Sequence, residues 1–141
     1  MYSYPGTELH LFANAHNWKK YFSKTIKRYV LGDVLDVGAG WGVNAQYLVS
    51  SNCTSWTFLE PDQENCAKID RFASIIKGYT NTSICGKVDT LAPSPQYDTI
   101  LYIDVLEHIE DDYKALNELY RVIKNKGTLI AQIPLDKNLK K

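Results

Sequence analysis

Charge of one sign, paired cysteines and long apolar runs are what this sequence lacks. Its 141 residues carry 16 Lys and Arg against 16 Asp and Glu, so the net charge is zero. Duplex-DNA binders draw affinity from a basic surface that neutralises phosphates, and a balanced chain gives that class no support. The basic residues that gather near the start, Lys19, Lys20, Lys24, Lys27 and Arg28, read as the solvated face of an amphipathic helix. Only three cysteines occur, Cys53, Cys66 and Cys85, and none forms a C-x-x-C pair. Neither a disulfide framework nor a zinc site follows from them; they fit the reduced thiols of a cytoplasmic protein. The opening MYSYPGTELH has neither the basic start nor the apolar run of a secretory signal. No stretch approaches the ~20 apolar residues that a membrane span needs, so no membrane partner is expected.

What is present is ordinary for a globular domain, with 45% hydrophobic and 23% charged residues. A chain this long buries roughly 70% of its unfolded surface as one domain, here taken as 1–141, with a helical cap over 1–30 and a core over 31–134. LHLFANAHNWKKYFSKTIKRYV spaces Leu11, Ala15, Trp18, Phe22, Ile26 and Tyr29 by threes and fours, which predicts a helix. DVLDVG, SWTFLEPD, TSICG, YDTILYIDV and GTLIAQIP read as five strands. VNAQYLVSS, QENCAKIDRFASII and DDYKALNELYRVIK read as helices between them, the second closed by Gly78 as a C-cap. Strands that are mostly apolar runs, alternating with helices, imply an α/β, doubly wound, mainly parallel sheet covered on both faces.

In such sheets ligands bind beyond the carboxyl ends of the strands. Gly38, Gly40 and Gly42 stand where the first strand ends and a helix should begin. Glycine lets a ligand touch the main chain, and a helix N-terminus offers free N–H donors and a partial positive charge. A dinucleotide fingerprint reads G-x-G-x-x-G; here the order is G-x-G-x-G, with valine at position 43.

That spacing resembles motif I of class I S-adenosylmethionine-dependent methyltransferases. Further segments follow in that family's order: FLEPD, ICGKVDTL, YDTILYIDVLEHIEDD and LYRVIKNKGTLIAQIP. In the last, Asn125 and Lys126 stand where the family usually has proline and a first glycine; Gly127 remains. The resemblance implies a Rossmann-like sheet of order 3-2-1-4-5, the family's strands 6 and 7 being absent after Lys141. It also implies S-adenosyl-L-methionine as cofactor. By it, Asp36 orients the glycine loop and the ligand's amino group, and Gly38, Ala39, Gly40 and Gly42 cradle the methionine end. Glu60, followed by Pro61, accepts the ribose hydroxyls, Gly86 and Lys87 border the adenine, and Asp104 lies near the methyl group. The implied reaction is methyl transfer to a small-molecule acceptor, with O-methylation favoured.

Asp104 and His108 are the catalytic candidates, and three readings of DVLEH stay open. His108 is a general base, its unperturbed pKa being ~6.5. Or Asp104, Glu107 and His108 share a helical face and bind a divalent ion, as in the similar E-x-x-E-H segment of ubiquinone-pathway and small-RNA O-methyltransferases. Or these groups only cap the next helix and line the pocket. No histidine follows His108 to complete the RNA-type site, so no metal ligands are assigned. Asn17, Trp18 and Tyr21 lie where such enzymes fold a helix over the cofactor, although aromatics at helical spacing are more often core. A non-catalytic binding module and an NAD-linked oxidoreductase are the rival classes; Val43 and DVLEH weigh against the second. With the fifth strand, TLIAQI, left as an apolar edge, self-association is expected.

Overall fold

The parallel sheet expected from the apolar runs is present. In a computed structural model describing residues 9–73 and 79–135, it comprises β1 (Gly32–Val37), β2 (Cys53–Glu60), β3 (Thr80–Cys85), β4 (Tyr97–Ile103) and β5 (Ile123–Gln132). The order is β3-β2-β1-β4-β5, all neighbours parallel. Among the described residues β5 is paired on one side only, with β4.

Alternation along the central strands builds two cores. Val34, Trp56, Phe58 and Leu101 face one side, where Ile69 of α4 (Gln63–Ala73) and Phe22 and Ile26 of α2 (His16–Ile26) cover them. Leu35, Leu59, Ile100 and Tyr102 face the other, under Leu119 of α5 (Asp112–Tyr120) and Val122. Neighbouring positions such as Val34 and Leu35 are both fully buried, because a parallel strand covered on both faces has no wet side. At the amino ends of the strands Lys124 Nζ reaches Asp33 Oδ2 at 2.8 Å and Asp98 Oδ2 at 2.9 Å. This staple ties β1, β4 and β5 together opposite the ligand end.

Several expected boundaries move. The first helix is broken at Ala15 into α1 (Leu9–Asn14) and α2, then ends in a 3-10 turn at Lys27–Tyr29. Its stripe is also rotated: Trp18 is 50% exposed, and Leu11 and Tyr29 are likewise exposed, while Phe22 and Ile26 pack inward. The helix after the glycines shrinks to α3 (Ala45–Leu48), since Val49 is already extended at φ −61°, ψ 138°. The helix expected over DDYKALNELYRVIK stops at Tyr120, and β-branched Ile123 opens β5. In β5, Lys126 adopts φ +64° where the family motif would supply glycine, and register jumps from Tyr97↔Ile123 to Thr99↔Thr128. The bulge inserts Asn125–Gly127 without ending the strand. Gly78 and the tail beyond residue 135 lie outside the described residues.

Candidate functional site

The backbone conformation explains the alternating glycines. Gly38, Gly40 and Gly42 have φ of +65°, +59° and +77°, a region that penalises any side chain. Packing adds a second constraint. A Cβ at Gly38 would meet Val105 Cγ2 at 2.6 Å, and one at Gly42 would meet the Phe58 ring at 3.1 Å. The loop is sewn to β2: Gly38 N–H and Ala39 N–H both donate to Leu59 O, at 2.8 and 3.1 Å. With α3 only four residues long, little of a helix dipole is available. The loop's bare main chain matters more than the dipole expected from sequence.

Glu60, at the carboxyl end of β2, is 4% exposed and holds the loop from below. Its Oε2 accepts Gly40 N–H at 2.7 Å and its Oε1 accepts Asp62 N–H at 3.0 Å. Burial pushes its pKa up, and these N–H donors offset part of the shift. Each carboxylate oxygen has two acceptor sites, so capacity for a ligand hydroxyl remains. Pro61 and Asp62 then turn the chain into α4, whose first N–H groups Asp62 Oδ1 caps at 2.9 and 3.0 Å.

Beyond the strand ends lies a cavity of about 340 Å³, walled by Gly38, Leu59, Pro61, Gly86, Lys87 and His108 among others. Val88, Tyr102, Val105 and Ile109 give it an apolar side. Such a volume is within the usual range for small-ligand pockets. Gly86 is needed for proximity alone: its Cβ would strike Thr90 Oγ1 at 2.6 Å. Its N–H donates to Glu60 O at 3.0 Å, which joins the cavity wall to the loop's support.

Toward α2 the strand ends present a charged cluster. Asp36, at the end of β1, is 1% exposed, and its Oδ2 has no hydrogen-bond partner. Trp56 Nε1, also without a well-formed hydrogen bond, lies near enough to pull the Asp36 pKa down somewhat, as does Lys19. Burial outweighs both and pushes the carboxyl up to about 7. Lys19 enters from α2, its Nζ 2.6 Å from Asn44 Oδ1. Burial lowers its pKa, against the pull of Asp104 and Asp36. Asp104 follows β4 at φ +55° and donates its N–H to Gln132 O at 3.0 Å. Burial and Glu107 raise its pKa, opposed by Gln132, Lys19 and His108.

The site residues expected from sequence therefore fall into two groups. Gly38, Pro61, Gly86, Lys87 and His108 line the cavity. Gly40, in the loop, is held by Glu60, Asp36 and Asp104 face Lys19, and Ala39 and Gly42 are buried inside the loop. The helical face expected of Asp104, Glu107 and His108 does not form: Asp104 is left-handed, and only a 3-10 turn, Leu106–His108, follows. Among the described residues no group of His, Cys, Asp and Glu is arranged to hold a metal ion. Trp18 and Tyr21 are exposed, their rings tilted against each other with centroids 5.9 Å apart. Lys19 was hidden among basic residues read as solvated. Its signal was spacing: Lys19, Phe22 and Ile26 share the inward face, and a lysine in an apolar stripe is rarely solvent-facing by accident.

Comparison with known proteins bears on this arrangement directly. The methyltransferase domain family model matches residues 35–131, from the first strand to the fifth. The chain belongs to the class I S-adenosylmethionine-dependent methyltransferase family. This methyltransferase domain is 32% identical to the mitochondrial methyltransferase OMS1 of Saccharomyces cerevisiae over 125 residues, covering 76% of this chain and 26% of that protein. The YcgJ protein of Bacillus subtilis superposes with a TM-score of 0.66 at 25% identity, over 81% of this chain and 49% of its own. An S-adenosylmethionine-dependent methyltransferase of Clostridium acetobutylicum gives 0.66 at 19% identity, over 89% and 54%; at that identity it speaks for the fold alone. The methyltransferase domain thus spans about a quarter of the yeast relative and about half of each solved structure. No helix among the described residues is long and apolar enough to cross a membrane.

Proposed function

We propose that this domain binds S-adenosylmethionine and transfers its methyl group to a hydroxyl of a small-molecule acceptor. One observation carries the reading: Asp36, buried at the carboxyl end of β1 with one oxygen lacking a hydrogen-bond partner, stands two residues before Gly38, which walls the 340 Å³ cavity. An orphaned buried acceptor costs stability unless a ligand donor meets it, and the cofactor's ammonium group is such a donor. The cavity floor, with Gly86 and Val88 beside Leu59 and Pro61, suits a flat adenine ring, and Glu60 lies where β2 delivers a ribose acceptor. Lys19, coupled to Asp36 and Asp104, supplies a cation for the cofactor's carboxylate. Bound there, the cofactor supplies an electrophilic methyl group on a sulfonium. The chain's own part is to align the acceptor and exclude water, with His108 on the cavity wall taking the hydroxyl proton. Free thiols at Cys53, Cys66 and Cys85 support a reducing compartment such as the cytoplasm, although the yeast relative carries a mitochondrial name.

The ribose contact provides the test. Wild type should prefer S-adenosylhomocysteine over its 2′-deoxy analogue by about 1–3 kcal/mol, the cost of leaving a buried acceptor unpaired. Glu60→Ala should erase that preference, whatever it does to the loop. A variant that still distinguishes the two ligands would remove Glu60 from the ribose site.

A further inference from the structure

Cys66 and Cys85 belong to different elements, α4 and the end of β3, yet both meet the main chain of Glu60. Cys85 is the register partner of Glu60 across β2 and β3. Cys66 Sγ donates to Glu60 O at 3.0 Å, and the same carbonyl accepts Gly86 N–H, also at 3.0 Å. Both thiols are thus gathered at Glu60, Cys66 on its carbonyl and Cys85 opposite it in the neighbouring strand. Cys85 is exposed and Cys66 partly so, whereas Cys53 is buried in the α2 side of the core. We propose that Cys66 and Cys85 are a reversible thiol–disulfide pair whose oxidation weakens ligand binding in the adjoining cavity.

The chemistry is thiol–disulfide exchange with a low-molecular-weight disulfide such as oxidised glutathione. The exposed Cys85 thiolate attacks one glutathione sulfur, forms a mixed disulfide and releases one glutathione thiolate. Cys66 then loses its proton to solvent and attacks the Cys85 sulfur. The Cys66–Cys85 bond forms, and a second glutathione thiolate leaves. Two protein thiols are oxidised, and one glutathione disulfide is reduced to two thiols. Burial, and Cys85 beside it, push the Cys66 thiol up to about 12. The second step is therefore the slow one near neutral pH and quickens as pH rises. Excess glutathione thiol reverses both steps, so in a reducing compartment the bond reports a rise in disulfide.

The link to the cavity runs through Glu60. The disulfide removes the Cys66 S–H from the Glu60 carbonyl and binds Cys85 to α4. Gly86, the next residue, lines the cavity and shares that carbonyl. The coupling to ligand affinity rests on the cofactor reading above; the formation of the disulfide does not.

Oxidised glutathione titrated onto the reduced full chain, followed by non-reducing mass spectrometry, tests the pair. The expected product is two hydrogens lighter, carries a Cys66–Cys85 cross-linked peptide, forms faster at pH 8.5 than at pH 7 by roughly the tenfold-per-unit gain in thiolate, and reverts with dithiothreitol. Cys53→Ser should behave as wild type, and Cys66→Ser should stop at the Cys85 glutathione adduct. A wild-type product that also stops at that adduct, or a cross-link to Cys53, would overturn the pairing. S-adenosylhomocysteine should bind the oxidised chain several-fold more weakly, with recovery on reduction. Unchanged affinity in a fully cross-linked sample would overturn the coupling.

Discussion

Replacing Asp36 by asparagine should flatten the dependence of stability on pH. In the folded chain Asp36 is 1% exposed, and loss of solvation chiefly raises its carboxyl from 3.8 to about 7, with Glu60 adding to the shift. An acid whose pKa is higher folded than unfolded binds more protons in the native state, so stability falls as pH rises. The Asp36 contribution is whole below about pH 4, where both states are protonated. It drains away progressively up to about pH 7. A difference of about three pKa units at about 1.4 kcal/mol each sets a ceiling on the order of 4 kcal/mol. Asparagine has nearly the same shape and no charge, so the variant should gain on wild type by a few kcal/mol between pH 4 and pH 7. Any constant offset from burying the amide leaves that slope untouched. Glu60 and Asp104, whose pKa values burial also raises, tilt both curves alike and largely cancel in the difference. Urea unfolding at half-unit pH steps measures the effect. Parallel curves for the two proteins would refute the reasoning.

His108→Ala should lower turnover of a hydroxyl acceptor by roughly 10²–10⁴-fold, the usual worth of a general base, while leaving S-adenosylhomocysteine affinity nearly unchanged; equal losses in both would make His108 structural. Full activity after chelation is expected, because no described cluster is arranged for a metal ion, and loss restored by a divalent ion would contradict this. Among the described residues β5 is paired on one side only, with Leu129 39% exposed, and we propose that this edge pairs with a second copy. Light scattering should then show mass rising with concentration, and a monomer throughout would refute the edge argument.

The sheet was legible because four of the five strands read as apolar runs and each is followed by proline, glycine or an acid, and the glycine alternation was legible because backbone geometry demands it. What escaped depended on contacts between distant segments. The inward turn of Lys19 follows from which side of α2 meets β1 and β4, and the stripe drawn through Trp18 was one residue away from it. Asp104 in a left-handed conformation was invisible in DVLEH, because its position is set by the N–H bond to Gln132 on β5. The shortness of α3 follows from Val49 turning extended, where local spacing still read as helical. The approach of Cys66 to Cys85 spans the β2–β3 crossover and leaves no mark in local pattern.

Calorimetric titration of the reduced chain with S-adenosylmethionine, S-adenosylhomocysteine and NAD, each in turn, tests the central claim most directly. The account predicts saturable one-site binding of both adenosyl ligands and none of NAD. Below pH 7 that binding should release protons, as the ligand's positive charge draws the Asp36 carboxyl into its ionised form. Binding of NAD without either adenosyl ligand would contradict it.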